Sequence, residues 1–299
     1  MDVFLVIVTA LLLDNWLGEP PRFHPLVGFG RLARLLEQRL YGDSRVAGFV
    51  ALLTLLLPFT LLALLPAGLA GGAVVEVLLL YLAIGRNSLG QHAAQVRDAL
   101  AVDDLVLARQ RLGLMVSRDT AQLDQRGVAG AALESVLENG NDAIFGAIFW
   151  FVLAGAPGVV LYRLANTLDA MWGYRNERYH RFGWAAARLD DLLNFIPARL
   201  TALSYALAGK FRMALRCWRK QGALWNSPNA GPVMAAGAGS LGVTIGGAAC
   251  YEGVMQMRPQ LGAGQDEPDS GVIARGLRLL DRALLIWMVV LFTGAWFAG

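Results

Sequence analysis

Residues 46–65 read VAGFVALLTLLLPFTLLALL. This run of twenty uncharged residues matches the roughly 20 a helix needs to cross a bilayer core. Pro58 within it predicts a kink, which neighbouring helices can satisfy. A shorter run, Gly72–Gly85, extended backward through Ala67, follows. Pro66-Ala67-Gly68 between them reads as a tight turn, so the two runs read as a hairpin. Ala283–Ala298 is a third candidate span, with Trp287 and Trp296 placed as interface anchors. Val3–Leu13 is shorter and is stopped by Asp14. No basic stretch precedes it and no small-residue cleavage site follows, which argues against a cleaved signal peptide. It reads either as a spanning helix completed by Trp16 and Leu17 or as an interfacial helix.

Composition supports the membrane reading. Of 299 residues 56% are hydrophobic and 16% charged, with mean hydropathy +0.48, against about 25% charged in soluble proteins. Disorder, a coiled coil and a disulfide scaffold are excluded, and an ordinary soluble enzyme is disfavoured. The expected fold is an all-α polytopic integral membrane protein, one membrane-embedded domain over residues 1–299. Cytoplasmic helical segments are expected at 86–142 and 163–191. Net charge is +3 and Lys210 and Lys220 are the only lysines. Cys217 and Cys250 have no metal-ligand spacing and read as small hydrophobes.

Arginines set the orientation. Arg22, Arg31, Arg34, Arg39 and Arg45 precede the hairpin, and Arg86, Arg97, Arg109, Arg111, Arg118 and Arg126 follow it. The positive-inside rule places both flanks in the cytoplasm. Residues 143–163, AIFGAIFWFVLAGAPGVVLYR, are apolar enough to span. A plain crossing would carry Arg163, Arg175, Arg178, Arg181 and Arg188 outside. Gly155-Ala156-Pro157-Gly158 breaks helices, so a re-entrant or broken helical hairpin, both ends cytoplasmic, is preferred. Leu192–Ala208 and Ala230–Gly247 are moderately apolar. Gly262–Ser270 reads as a flexible loop.

The polar residues come next. Thr120–Ile144 reads as one helix with Ser117 as N-cap. Glu134, Glu138 and Asp142 fall at i, i+4 and i+8, on one face. Like charges so spaced repel. They read either as a solvated face or as carboxylates set against a cation, a metal or an arginine cluster. Asn166 and Asp169 share a helical face, as do Arg188 and Asp191. Arg175, Arg178 and Arg181 suit phosphate or carboxylate, or pair internally with the interleaved acids. Acids for a metal beside arginines for oxygens are what a magnesium–phosphate substrate requires. His24, His92 and His180 lack zinc spacing. Gly237–Gly242 matches a dinucleotide pattern outside any βαβ context and reads as close helix packing. No phosphate-loop motif occurs, and nothing points to nucleic acid.

Together these residues resemble the adenosylcobinamide-phosphate synthase family, CobD/CbiB, of cobalamin biosynthesis. The resemblance runs nearly end to end. It is carried by Asp14 with Gly18-Glu19-Pro20 and His24-Pro25, Arg118-Asp119-Thr120, Glu134 through Asn139, and Gly155 through Gly158. It continues in Asn166-Thr167-Leu168-Asp169, Gly173 through Tyr179, Phe182-Gly183-Trp184, Ala187 through Asp191 and Ile196 through Thr201. Ser227 through Gly231, Gly242-Val243 and Gly246-Gly247 close it. The chain departs from the family at Gly140-Asn141, Pro232-Val233 and Thr244.

The resemblance implies a ligase of the bacterial inner membrane with its active face in the cytoplasm. It would join adenosylcobyric acid to an amino-alcohol phosphate, (R)-1-aminopropan-2-ol O-phosphate or threonine phosphate, using ATP and Mg²⁺. Its expected partners are these substrates, the lipid bilayer and other late cobalamin-synthesis membrane enzymes. Glu134, Glu138, Asp142 and Asp169 are the catalytic candidates. Arg118, Asn166, Arg175, Asn176, Arg178, Arg188, Ser227 and Asn229 are substrate- or phosphate-binding candidates, and Glu138, Asp142, Asp190 and Asp191 are metal candidates. A non-catalytic signalling relative and a transporter are the rival readings.

Overall fold

A computed structural model describes residues 3–20, 24–174, 176–251, 253–264 and 268–298. In chain order its helices are α1 (Val3–Leu17), α2 (Pro25–Leu40), α3 (Arg45–Leu62), α4 (Gly72–Ala83), α5 (Arg86–Ala101), α6 (Leu105–Leu112) and α7 (Gln125–Gly140). A π-helical turn, Asn141–Phe145, leads into α8 (Gly146–Trp172), α9 (Tyr179–Phe182), α10 (Trp184–Ala208), α11 (Phe211–Gln221) and α12 (Ala230–Leu241). Four short strands follow, β1 (Thr244–Gly246), β2 (Ala249–Tyr251), β3 (Val254–Gln256) and β4 (Gln260–Gly262), and α13 (Ser270–Ala298) closes the chain.

The fold is all-α and polytopic. Among the described residues, four helical runs are long and apolar enough to cross a membrane: Arg45–Leu62, Gly72–Ala101, Gln125–Trp172 and Ser270–Phe297. Much of their apolar surface points outward, as at Phe49 and Leu61 of α3 and Leu285 and Trp296 of α13. Such bands are aggregation patches in water and ordinary surface against lipid.

The chain forms two compact units. The first comprises residues 1–85 and 142–194, the second 86–141 and 195–299. In the first, α1 packs on α4, and α2, α3 and α4 pack on α8. α8 is helical at both ends but non-helical at Ala154 and Gly155, the latter at φ +61°. A Cβ at Gly158 would overlap the carbonyl of Trp150, and one at Gly146 would overlap the Tyr162 ring. In a straight helix residues 146 and 162 stand about 24 Å apart. The chain therefore folds back at Ala154–Gly155, with 150 facing 158 and 146 facing 162. The hairpin expected from Gly155-Ala156-Pro157-Gly158 is present.

In the second unit α12 is buried all round, from Ala230 to Ser240, as a helix apolar on every face must be. It packs against α11, α7 and α13. A Cβ at Gly237 would overlap Leu137, so the glycine-rich stretch serves close helix packing. The strands form two antiparallel ladders, β1 with β4 and β2 with β3. Ala230–Gly247 is thus a helix that hands over to a strand at Thr244, since Gly242, at φ +72°, ends α12.

Two further expectations are corrected. The helix expected from Thr120 begins at Gln125, because Asp124 caps it by accepting from Gly127 N at 2.7 Å. The single face for Glu134, Glu138 and Asp142 is interrupted, because the π turn at Asn141–Phe145 changes the helical phase.

Candidate functional site

Two clusters of charged side chains, one in each unit, hold most of the candidate residues. In the first unit the open end of the α8 hairpin carries Asp142 on the π turn and Arg163, Asn166 and Asp169 on the second arm. The start of α10 adds Asp190, Asp191 and Asn194. Asp142, Asp169 and Asp190 are close enough for their charges to act on one another, and Asp191 acts on Asp169. Asn166 Nδ2 donates to Asp190 Oδ1 at 3.2 Å, and Asn194 Nδ2 donates to both Asp190 oxygens at 3.1 Å. The Tyr162 hydroxyl lies 2.9 Å from Asn194 Oδ1 and 3.1 Å from the Asp142 carbonyl. Arg163 Nη1 reaches the Asp142 carbonyl at 3.4 Å and Asn166 Oδ1 at 3.3 Å, while its buried Nε has no partner.

Amides rather than cations therefore hold Asp190. Burial, then Asp142, then Asp169 push its pKa well above the ordinary carboxylate range, against the two asparagine hydrogen bonds. His24 caps α2, with Nδ1 accepting from Leu26 N at 3.2 Å. Burial lowers its pKa; Glu19 opposes that shift and Arg163 adds to it.

In the second unit the charges interlock. Glu134 is buried on α7. Its Oε2 accepts from Arg118 and, at 3.2 Å, from Arg258 Nη1, and its Oε1 accepts from Gly246 N at 3.0 Å. Arg258, between β3 and β4, also donates from Nε to the Gly247 carbonyl at 3.1 Å and from Nη1 to the Tyr251 hydroxyl at 3.3 Å. Its guanidinium lies 4.9 Å from the Trp225 ring centroid. Burial works against the charge of Arg118, and Glu134, Tyr251 and Glu138 together outweigh it, holding the pKa above its usual value.

Comparison with known proteins gives this geometry its family. The family model described as CobD/Cbib protein matches residues 7–280. The chain belongs to the CobD/Cbib family. It is 59% identical to Cobalamin biosynthesis protein CobD of Stutzerimonas stutzeri, over 99% of both chains. It is 55% identical to the protein of that name from Chromobacterium violaceum, over 100% of this chain and 99% of the other. The Mycobacterium tuberculosis protein is 43% identical over 87% of this chain and 85% of its own length. No solved structure matches.

In this CobD/Cbib chain the candidate residues divide between the two units. Asp142, Asn166, Asp169, Asp190 and Asp191 come together at the hairpin mouth. Glu134 and Arg118 come together in the second unit, where Glu138 lies within electrostatic reach of Arg118. The other candidates have separate places. Arg188 pairs with Asp191 at 3.2 Å. Arg178 grips Glu37 through Nε at 3.0 Å and Nη2 at 2.7 Å, and Trp172 Nε1 and the Tyr179 hydroxyl also donate to Glu37, each at 3.1 Å. Asn176 Oδ1 accepts from Tyr179 N at 3.0 Å. Ser227 Oγ accepts from Ala230 N at 3.1 Å, and Asn229 Oδ1 accepts from Arg199 at 2.7 Å. Arg175 lies outside the described residues.

Sequence reasoning missed Arg258, Tyr251, Asn194 and Tyr162, which bond within the two clusters. The available signal for Arg258 was the pair of short strand-like runs Ala249–Tyr251 and Val254–Gln256, whose antiparallel pairing leads into it.

Among the described residues, no three His, Cys, Asp or Glu side chains stand close enough to hold one metal ion. Mg²⁺ demands near-octahedral oxygen ligands at about 2.0–2.1 Å. Among the described residues the side chains as placed do not form such a cage.

Proposed function

We propose that this chain is the membrane ligase of cobalamin biosynthesis that joins a propionate carboxylate of adenosylcobyric acid to (R)-1-aminopropan-2-ol O-phosphate, giving adenosylcobinamide phosphate. One observation carries the reading: the family match over residues 7–280, with relatives at 55–59% identity that bear a cobalamin-biosynthesis name. The arginine-bearing flanks support an active face on the cytoplasmic side of a bacterial inner membrane.

Amide formation from a carboxylate and an ammonium ion is unfavourable in neutral water, so the carboxylate must be activated. Its oxygen attacks the γ-phosphorus of ATP, the bond to ADP breaks, and an acyl phosphate forms. The amine, once it has lost a proton, attacks the acyl carbon. The C–N bond forms, the C–O bond breaks, and inorganic phosphate leaves. A second proton departs from the new amide nitrogen. Mg²⁺ enters this scheme with the nucleotide phosphates, and no step here passes through a protein-held ion.

The first unit suits the amine. Asp142, Asp169 and Asp190 present a half-buried acidic cluster that attracts an ammonium group. A carboxylate whose pKa is raised is a better proton acceptor than an ordinary aspartate. Asp190 is such a group. Asn166 and Asn194 orient it, acting as positioning residues.

A ligation assay tests the function. Detergent-purified protein receives adenosylcobyric acid, Mg-ATP and either aminopropanol phosphate or threonine phosphate, with mass detection of the amide. Product with aminopropanol phosphate is expected. Product with threonine phosphate alone would change the substrate. Folded protein that binds no corrinoid would overturn the ligase in favour of a signalling protein. Corrinoid uptake into proteoliposomes without ligation would point to a transporter.

A further inference from the structure

We propose that Arg258 and Arg118 form the binding site for a phosphoryl group of a phosphorylated small-molecule substrate, with Glu134 as the positioning residue that holds both guanidiniums. The phosphoryl class deepens the ligase reading and rests on it. The existence of an oxyanion site rests on geometry alone.

The argument begins with donors and acceptors. Two guanidiniums share one carboxylate. Both Glu134 oxygens are occupied, Oε1 by Gly246 N and Oε2 by the two arginines. Glu134 is therefore poorly placed to take a proton or ligate a cation. The donors are in surplus. The Arg258 side chain is 9% exposed, and its Nη2 is buried without a partner. Arg118, 10% exposed, uses Nη2 on Glu134, and its other nitrogens have no hydrogen-bond partner among the described residues. Buried donors in native proteins are almost always matched. An unmatched buried donor on Arg258, beside the Arg118 guanidinium on the same carboxylate, is an arrangement that an oxyanion satisfies, because the planar fork fits phosphate oxygens two at a time.

The surroundings hold the fork in place. Trp225 lies against the Arg258 guanidinium, and the Gly247 carbonyl fixes its Nε. Gly247, at φ +83°, has nothing within 4 Å of where a Cβ would stand, so that side of the turn is open. Glu138 acts electrostatically on Arg118. Together with Glu134 it balances the two cations until an anion enters.

The test uses the full-length protein in detergent, with inorganic phosphate as the probe, followed by calorimetry. The wild type should bind phosphate saturably. Arg258→Ala should bind at least about tenfold more weakly, a difference of about 1.4 kcal/mol. Arg258→Lys, which keeps the charge and loses the fork, should fall between. Arg216→Ala, on the exposed face of α11, should match the wild type. In the ligation assay Arg258→Ala should raise KM for one phosphorylated substrate while KM for the corrinoid stays constant. Whether that substrate is the amino-alcohol phosphate or the nucleotide identifies the source of the phosphoryl group. If Arg258→Ala fails to fold, Arg258→Lys decides by the same two readouts. Absence of saturable phosphate binding in the wild type would overturn the proposal. So would equal phosphate affinity and unchanged KM values in a folded Arg258 variant. A wild type that binds phosphate and makes no amide would refute the ligase reading and leave the oxyanion site standing.

Discussion

Two sites, one in each unit, hold their charge in opposite ways. At the hairpin mouth of the first, three aspartates act on one another and Asp190 is held by asparagine amides. In the second, Glu134 is locked between two arginines and a backbone N–H. Like charges brought together out of water weaken a fold, and such arrangements persist where a ligand needs them. An interlocked pair behaves otherwise, because removing one member leaves the rest buried and uncompensated. The difference teaches that burial alone does not reveal a residue's role. The partners show which group the fold requires and which group the reaction requires.

The largest expected effect is in the second unit. Glu134→Ala leaves two buried guanidiniums facing each other and should cost about 3–5 kcal/mol of stability, read as a lower melting temperature or loss of folded protein. A melt unchanged from the wild type would break the contrast.

Next comes Asp190→Asn. It removes a like charge but keeps an acceptor for Asn166 and Asn194. The melting temperature should rise while amide formation falls by about 10² or more, the scale of a lost acid–base group. The pH dependence sharpens this. Because the folded pKa of Asp190 is raised, the folded chain holds that proton more tightly than the unfolded chain. Its contribution to stability is fully present below the ordinary aspartate value and is lost as pH rises through the raised one. Melting curves of Asp190→Asn should show a flatter decline over that window.

Gly158→Leu tests the scaffold that gathers the acids. Its side chain would meet the Trp150 carbonyl across the hairpin. Overpacking of this kind costs about 1–3 kcal/mol, seen in the melt together with lost activity. A tolerated leucine would mean that the arms do not lie this close. The smallest effect is at Glu37→Gln. It retains hydrogen bonds but loses the ion pair with Arg178, and should cost about 1 kcal/mol without a change in KM for either phosphorylated substrate.

Most of the fold was legible because membrane helices announce themselves. The uncharged run at 46–65 and the glycine–proline break at 155–158 each carry a strong local signal. The arginine count on either side of 143–163 favoured a chain that turns back, and the antiparallel facing of Gly146 and Tyr162 agrees. The sites were legible only in part. Asn166, Asp169, Asp190 and Asp191 stand at helical spacings that place them on shared faces, so their gathering could be expected. The π turn at Asn141–Phe145 could not, and it interrupts the face on which Glu134, Glu138 and Asp142 were aligned. Arg258 stands in the return limb of a ribbon whose strands are three residues each, too short to give a clear alternation. The grip of Arg178 on Glu37 joins residues 141 positions apart, and no local pattern reports such a pair.

The most direct test of this contrast measures melting temperature and amide formation side by side for Asp190→Asn and Glu134→Ala. The account predicts a more stable, inactive Asp190→Asn protein and a destabilised Glu134→Ala protein. An Asp190→Asn protein that melts earlier than the wild type and still forms the amide at full rate would contradict it.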